Sequence, residues 1–205
     1  MRAADGTVQP RQYKDVLVGD LVQTVSLDEA RTAVWTPVLM WFHVDVKANV
    51  SYLALHFGNG ARVRMADDHL ILVWSAQGAL RSARANEVAL GEYVWTTQFG
   101  KQPLVRTSRV DSVGYYNFLT EAGTVVVDGV LCSCFASGNH FVKNAAWDLL
   151  RVYRMLFPFK GAREAAPGFT MLSQLSRLLG DFTDALEGKP TSAWTWIWPS
   201  QSSIQ

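Results

Sequence analysis

The 205-residue chain has little that would cross-link it, anchor it or charge it. Its two cysteines, Cys132 and Cys134, are too few for a disulfide framework, and an i,i+2 pair on one strand is poorly placed to bond to itself. The four histidines, His43, His56, His69 and His140, show no zinc spacing, and Cys-x-Cys would need two further ligands, so no metal or other cofactor is expected. No window approaches the roughly 18 uninterrupted apolar residues of a membrane span, and the opening Met1-Arg2-Ala3-Ala4-Asp5-Gly6 carries no secretion address. Charge of one sign is also missing. With 19 Lys+Arg against 18 Asp+Glu the formal charge is +1, which leaves no basic field to hold a nucleic-acid backbone and argues against that partner.

What is present is apolar mass: 49% hydrophobic and 12% aromatic residues, enough to fill the core of one ordinary domain. Over the first 136 residues, β-branched and aromatic residues alternate with polar ones between turn signals spaced about every ten residues, which predicts many short strands. Tyr52–Phe57, the turn Gly58-Asn59-Gly60 and Ala61–Met65 read as a hairpin, as do Thr124–Val127 and Val130–Phe135 around Asp128-Gly129. This portion is expected to be all-β. From Asn144 the spacing of Trp147, Leu150, Arg151, Tyr153, Arg154 and Phe157 predicts a helix ending at Pro158. Beyond a Gly/Ala/Pro linker, Met171, Leu172, Leu175, Leu178, Leu179, Phe182 and Leu186 form one apolar stripe. That stripe suits a helix docked on the β core or one facing lipid. The docked helix is the first expectation, and Trp194, Trp196 and Trp198, which alternate along the last segment, support the rival one through contact with a membrane surface.

An internal repeat is the most informative feature. Asp15-Val16-Leu17-Val18-Gly19-Asp20-Leu21-Val22 returns 72 residues later as Glu87-Val88-Ala89-Leu90-Gly91-Glu92-Tyr93-Val94, with acidic, apolar and glycine positions in step. Each copy reads as a turn around a glycine, then an acidic residue, then a strand entering the core through Val22 or Val94. Two copies separated by hairpins predict a compact pseudo-twofold β domain rather than a solenoid.

Several motifs in order resemble the Hint domain shared by hedgehog-type autoprocessing proteins and inteins. Asp15–Val22 resembles the family's early glycine turn, and Pro37–His43 the strand leading to its sterol-activating residue. Ala66-Asp67-Asp68-His69-Leu70-Ile71-Leu72-Val73 is similar to the Thr-x-x-His block and its apolar strand. Gly123–Ala136 is similar to the closing motif of the hedgehog branch. The resemblance covers roughly residues 4–157 and implies an all-β, pseudo-twofold horseshoe over 1–143 with a helical tail over 144–205, in the position of a sterol-recognition region. The implied chemistry is self-cleavage. A cysteine at the head of the domain attacks the preceding carbonyl, the block's His and Thr assist, and a sterol hydroxyl displaces the domain from the resulting thioester. The sterol is then a nucleophilic substrate and no cofactor is needed. The implied partners are an upstream covalently fused segment and a sterol or other lipid. The module would act as a monomer, in the secretory pathway or outside the cell if a signal lies upstream.

The departures from the pattern matter as much as the matches. No cysteine precedes Cys132, so as written the chain cannot form the thioester and is expected to be inactive. The threonine position falls on Ala66, which has no hydroxyl to offer the scissile carbonyl. The resemblance assigns His69 as the assisting imidazole and His43 as the group that activates the alcohol, with Asp45 two residues on as a neighbouring candidate. Cys134 stands where the family places a cysteine near the nucleophile, while by residue type alone it is a small buried hydrophobe. Cys132, His56 and His140 receive no role. The alternative function is a non-catalytic Hint remnant that binds lipid or a membrane surface.

Overall fold

The computed structural model describes residues 1, 7–28, 31–136, 138–148 and 151–152. Among them are β1 (Leu21–Val25), β2 (Ala33–Phe57), β3 (Arg62–Met65), β4 (Leu70–Trp74), β5 (Leu80–Arg84), β6 (Tyr93–Thr96), β7 (Gly100–Thr120), β8 (Thr124–Val127), β9 (Val130–Ser133) and one helix, α1 (His140–Ala146). The sheet runs β1-β2-β7-β6-β4-β9-β8, with β3 on β2, β5 on β4 and a further β6–β9 pairing. Its two ends meet: Thr24 of β1 and Thr124 of β8, both buried, share a hydroxyl hydrogen bond of 2.6 Å. The sheet is therefore curled on itself. The continuous apolar strand β4, buried from Leu70 to Trp74, lies across its middle. Leu55, Ile71, Val94, Leu104, Phe118, Leu119 and Val130 fill the interior.

Two strands are much longer than the expected short ones, because what reads as turn chemistry is bulge chemistry. β2 has 25 residues and β7 has 21, and they pair antiparallel with register shifts at Val38/Met40, Trp41/His43, Asp45/Asn49 and His56/Phe57. At the Asp45/Asn49 shift, Asp45 Oδ1 accepts the N–H groups of Lys47 and Ala48 at 3.0 and 3.1 Å, so the polar stretch folds onto its own side chain without reversing the chain. The hairpins form as the sequence predicts, β2–β3 with Leu53↔Met65 to His56↔Arg62 in register and β8–β9 around Asp128 (φ 49°) and Gly129 (φ 79°).

The repeat is realised bond for bond. Residues Tyr13–Asp15 and Ala85–Glu87 each form a 3-10 turn ahead of a glycine at φ 90° (Gly19) or 87° (Gly91). Gly19 N–H donates to Val38 O at 2.8 Å and Gly91 N–H to Leu104 O at 2.9 Å, and the return bonds are Val38 N–H to Asp20 O and Leu104 N–H to Glu92 O. Asp20 and Glu92 each accept a backbone N–H three residues back, from Leu17 and Ala89, at 2.8 and 2.9 Å. Val16, Val88, Val22 and Val94 are all buried. A carboxylate closes each turn, a positive φ requires each glycine, and the following valine fixes each strand to the core, which makes the fold pseudo-twofold.

α1 begins at His140, four residues before the expected start. Asn139 supplies the signal: its Oδ1 accepts the Phe141 N–H at 2.9 Å and its carbonyl accepts the Lys143 N–H at 3.0 Å. Buried Trp147 then packs on Phe42, ring centroids 5.1 Å apart, and Arg151 Nε donates to Glu121 O at 2.6 Å. The linker, the apolar stripe at Met171–Leu186 and the Trp194/Trp196/Trp198 cluster lie outside the described residues.

Candidate functional site

His69 closes a turn that is tied down on every side. Its N–H donates to Ala66 O (3.1 Å), its carbonyl accepts the Ala85 N–H (2.9 Å), and the carbonyl of Asp67 accepts the Asn86 N–H (3.1 Å). The Asp67 carboxylate is held by both terminal nitrogens of Arg109 from β7, at 2.5 and 2.6 Å. The imidazole is partly buried, with Nε2 2.9 Å from the carbonyl of Ser133 on β9. A carbonyl can only accept, so Nε2 carries the proton and Nδ1 presents a lone pair. Nδ1 has no hydrogen-bond partner among the described residues. Burial lowers the His69 pKa, against the opposing pull of the Ser133 carbonyl and Asp68, so the ring is neutral near pH 7. A neutral imidazole with an open Nδ1 can take a proton and hand it on.

His43 stands on the β2–β7 ribbon. It pairs in register with Asn117 while Asp45 pairs with Tyr115, which puts His43, Asp45, Tyr115 and Asn117 on one face. The His43 ring meets Tyr115 edge-on at 4.9 Å between centroids. Burial lowers the His43 pKa and Asp45 opposes the shift. The Tyr115 hydroxyl is pushed up to about 12, first by burial and then by the charge of Asp68, the neighbour of His69. Asn117 is buried with Oδ1 unpartnered among the described residues, an open acceptor beside His43.

The remaining residues singled out by the sequence have surroundings of their own. Asp45 is exposed, and its carboxylate is engaged by the loop N–H groups of Lys47 and Ala48. Ala66 presents only a methyl at the turn before His69. Cys134 is fully buried, its Sγ 3.6 Å from Thr120 Oγ1 and its N–H donating to Gly123 O at 2.9 Å. Burial pushes its thiol up to about 11 and drives that of buried Cys132 higher still, so neither is a thiolate at neutral pH. Tyr13 stacks on Phe118 (4.3 Å), and burial, with Cys134 next, raises its hydroxyl well above the usual phenol range.

Four residues with no role in the sequence reading belong here: Tyr115, Asn117, Ser133 and His140. Ser133 Oγ accepts the Phe135 N–H at 3.0 Å and shares a hydrogen bond of 2.9 Å with Nδ1 of His140, a histidine with no exposed surface. Tyr115 and Asn117 meet β2, Ser133 meets His69 and His140 meets Ser82 only across distant segments, which short motif spacing does not report.

The family model for the Hint module matches residues 3–183. The chain belongs to the Hint family. It is similar to Warthog protein 6 of Caenorhabditis elegans, at 29% identity over 133 residues that cover 62% of this chain and 22% of that protein. It is also similar to protein hedgehog of Drosophila virilis, at 31% identity over 131 residues that cover 62% of this chain and 27% of the relative. The chain therefore spans about a quarter of the length of these relatives. Among solved structures, the Clostridium thermocellum bacterial intein-like domain aligns at 20% identity and TM-score 0.48, covering 63% of this Hint chain and 90% of that one. The gp41-1 intein aligns at 13% identity and TM-score 0.47, covering 64% and 91%.

Proposed function

We propose that this Hint chain is the processing module of a hedgehog-type precursor, in which it cleaves itself from an upstream fused segment and passes that segment to a sterol or another alcohol. The observation that carries the reading is the neutral His69 ring, anchored through Nε2 and open at Nδ1. Cys132 and Cys134 are buried and protonated, so the attacking thiol comes from a cysteine placed ahead of the site. In the first step the cysteine sulfur attacks the preceding carbonyl, the C–S bond forms and the C–N bond breaks. Nδ1 of His69 takes the thiol proton and delivers it to the departing amine. In the second step the alcohol oxygen attacks the thioester, a C–O bond forms and the C–S bond breaks, and the hydroxyl proton that His43 accepts passes on to the departing thiolate, so that an ester remains on the upstream segment. Neither step calls for a metal or cofactor. A secretion signal on the upstream segment would put the reaction in the secretory pathway or outside the cell.

The test is a fusion in which a reporter ending in Gly-Cys-Phe precedes the chain and Ala66→Thr restores the missing hydroxyl. Thiol-dependent cleavage at that junction, lost in the same fusion carrying His69→Ala, is the expected result. Equal cleavage with and without His69 overturns the assignment. Replacing thiol by a sterol then asks about the second step, in which His43→Ala slows esterification while thioester formation continues.

A further inference from the structure

His140 has no exposed surface, and its Nε2 has no hydrogen-bond partner among the described residues. An orphaned buried nitrogen destabilises a fold, and at this position, between the rings of Phe135 (5.6 Å) and Phe141 (5.2 Å), an apolar ring of the same size would fit without that cost. Packing alone therefore does not account for a histidine. What distinguishes His140 from such a ring is its other nitrogen, Nδ1, 2.9 Å from Ser133 Oγ.

Ser133 is the residue whose carbonyl accepts His69 Nε2–H. The peptide bearing that carbonyl is gripped at each end: Ser133 Oγ is held by His140 Nδ1 and the Phe135 N–H, and the Cys134 N–H donates to Gly123 O. His140 is held in turn by its own backbone, with its N–H donating to Ser82 Oγ on β5 at 3.3 Å. One serine thus links two histidines, His69 through its carbonyl and His140 through its hydroxyl.

We propose that His140 is a positioning residue for the self-cleavage reaction: through Ser133 Oγ it fixes the carbonyl that orients His69 and keeps the proton of that ring on Nε2, leaving Nδ1 to act. The role rests on the autoprocessing reading, but the geometry is measurable without any cleavage.

The experiment records the imidazole nitrogen resonances of His69 in the 205-residue chain, for the parent and for His140→Phe, His140→Asn and Ser133→Ala. In the parent, His69 shows a single tautomer with a pyrrole-type Nε2 and a pyridine-type Nδ1. His140→Phe keeps the ring between Phe135 and Phe141 but removes the hydrogen bond, and the two His69 nitrogens move towards intermediate values as the tautomers mix. His140→Asn, whose amide reaches the place of Nδ1, restores the parent pattern. Ser133→Ala, which keeps the carbonyl and removes only the hydroxyl, reproduces the effect of His140→Phe should that variant fold poorly. Unchanged His69 resonances in either folded variant overturn the proposal. In the Gly-Cys-Phe fusion with Ala66→Thr, His140→Phe slows thiol-dependent cleavage by about tenfold or more, with His140→Asn in between. Undiminished cleavage in folded His140→Phe also overturns the proposal. If no fusion cleaves while the resonances move as stated, the positioning stands and the autoprocessing reading falls.

Discussion

Arg109 on β7 holds both carboxylate oxygens of Asp67, 42 residues earlier, and so clamps the turn that presents His69 to the strand that presents Tyr115. The pair is solvent-exposed, and its worth lies in aim rather than in stability. Asp67→Asn is expected to leave the melting temperature nearly unchanged while slowing cleavage of the restored fusion about tenfold. Arg109→Lys, which supplies charge without the two-pronged geometry, is expected to behave similarly. A cleavage time course beside a thermal melt separates aim from folding.

Acid stability follows from His140. Burial, reinforced by the charge of Arg151, holds its folded pKa near about 4 against an ordinary 6.5, so below pH 6.5 the unfolded chain takes up a proton that the folded chain refuses. Stability is full above pH 6.5, declines as pH falls from 6.5 towards 4, and levels off below. The loss attributable to this residue is about 3 kcal/mol. His69, shifted in the same direction, adds to the decline. Denaturant titrations at pH 7 and pH 4.5 are expected to show the drop in the parent chain and a smaller drop in His140→Phe.

The two native cysteines should be silent. With both thiols buried and held protonated, an aromatic disulfide reagent at pH 7.5 is expected to label neither until denaturant is added. Prompt labelling of the folded chain would place a thiolate at the site and reopen the choice of nucleophile.

The paired glycines offer a test of the duplication. Gly19→Ala and Gly91→Ala each force a side chain into a positive-φ turn and are expected to cost about 1–2 kcal/mol. The two turns share no hydrogen bond, so the double variant is expected to lose nearly the sum, within about 0.5 kcal/mol. Chemical denaturation of the four proteins reads this directly.

The fold was legible where chemistry is local. Gly19 and Gly91 with their carboxylates, the Asp128-Gly129 hairpin and the apolar run Leu70–Trp74 each announce themselves in a few consecutive residues. The long strands were not, because Asp45 with its two loop N–H groups looks in sequence like the start of a turn. The start of α1 also escaped notice, since Asn139 carries its signal as a cap one residue ahead of a histidine with no motif around it. At the candidate site, only the resemblance points to His69 and His43. Tyr115 and Asn117 were not legible, since each acquires its place by pairing with β2 many tens of residues away, in a register set by bulges, and Ser133 meets His69 only across 64 residues.

The bond from His69 to Ser133 spans 64 residues of chain, and that has a consequence in time. A nascent chain that has emerged only as far as β7 possesses the imidazole but not the carbonyl that aligns it. β9 sits on the centre of the sheet, where Ile71 pairs with Cys132, and the sheet also needs the distant strands β2 and β7 to find one another, a topology that folds slowly. Nδ1 of His69 is thus fixed in the tautomer with an open lone pair only once β9 has been made. If the module cleaves itself as we propose, an incomplete chain is protected from doing so until β9 has been made.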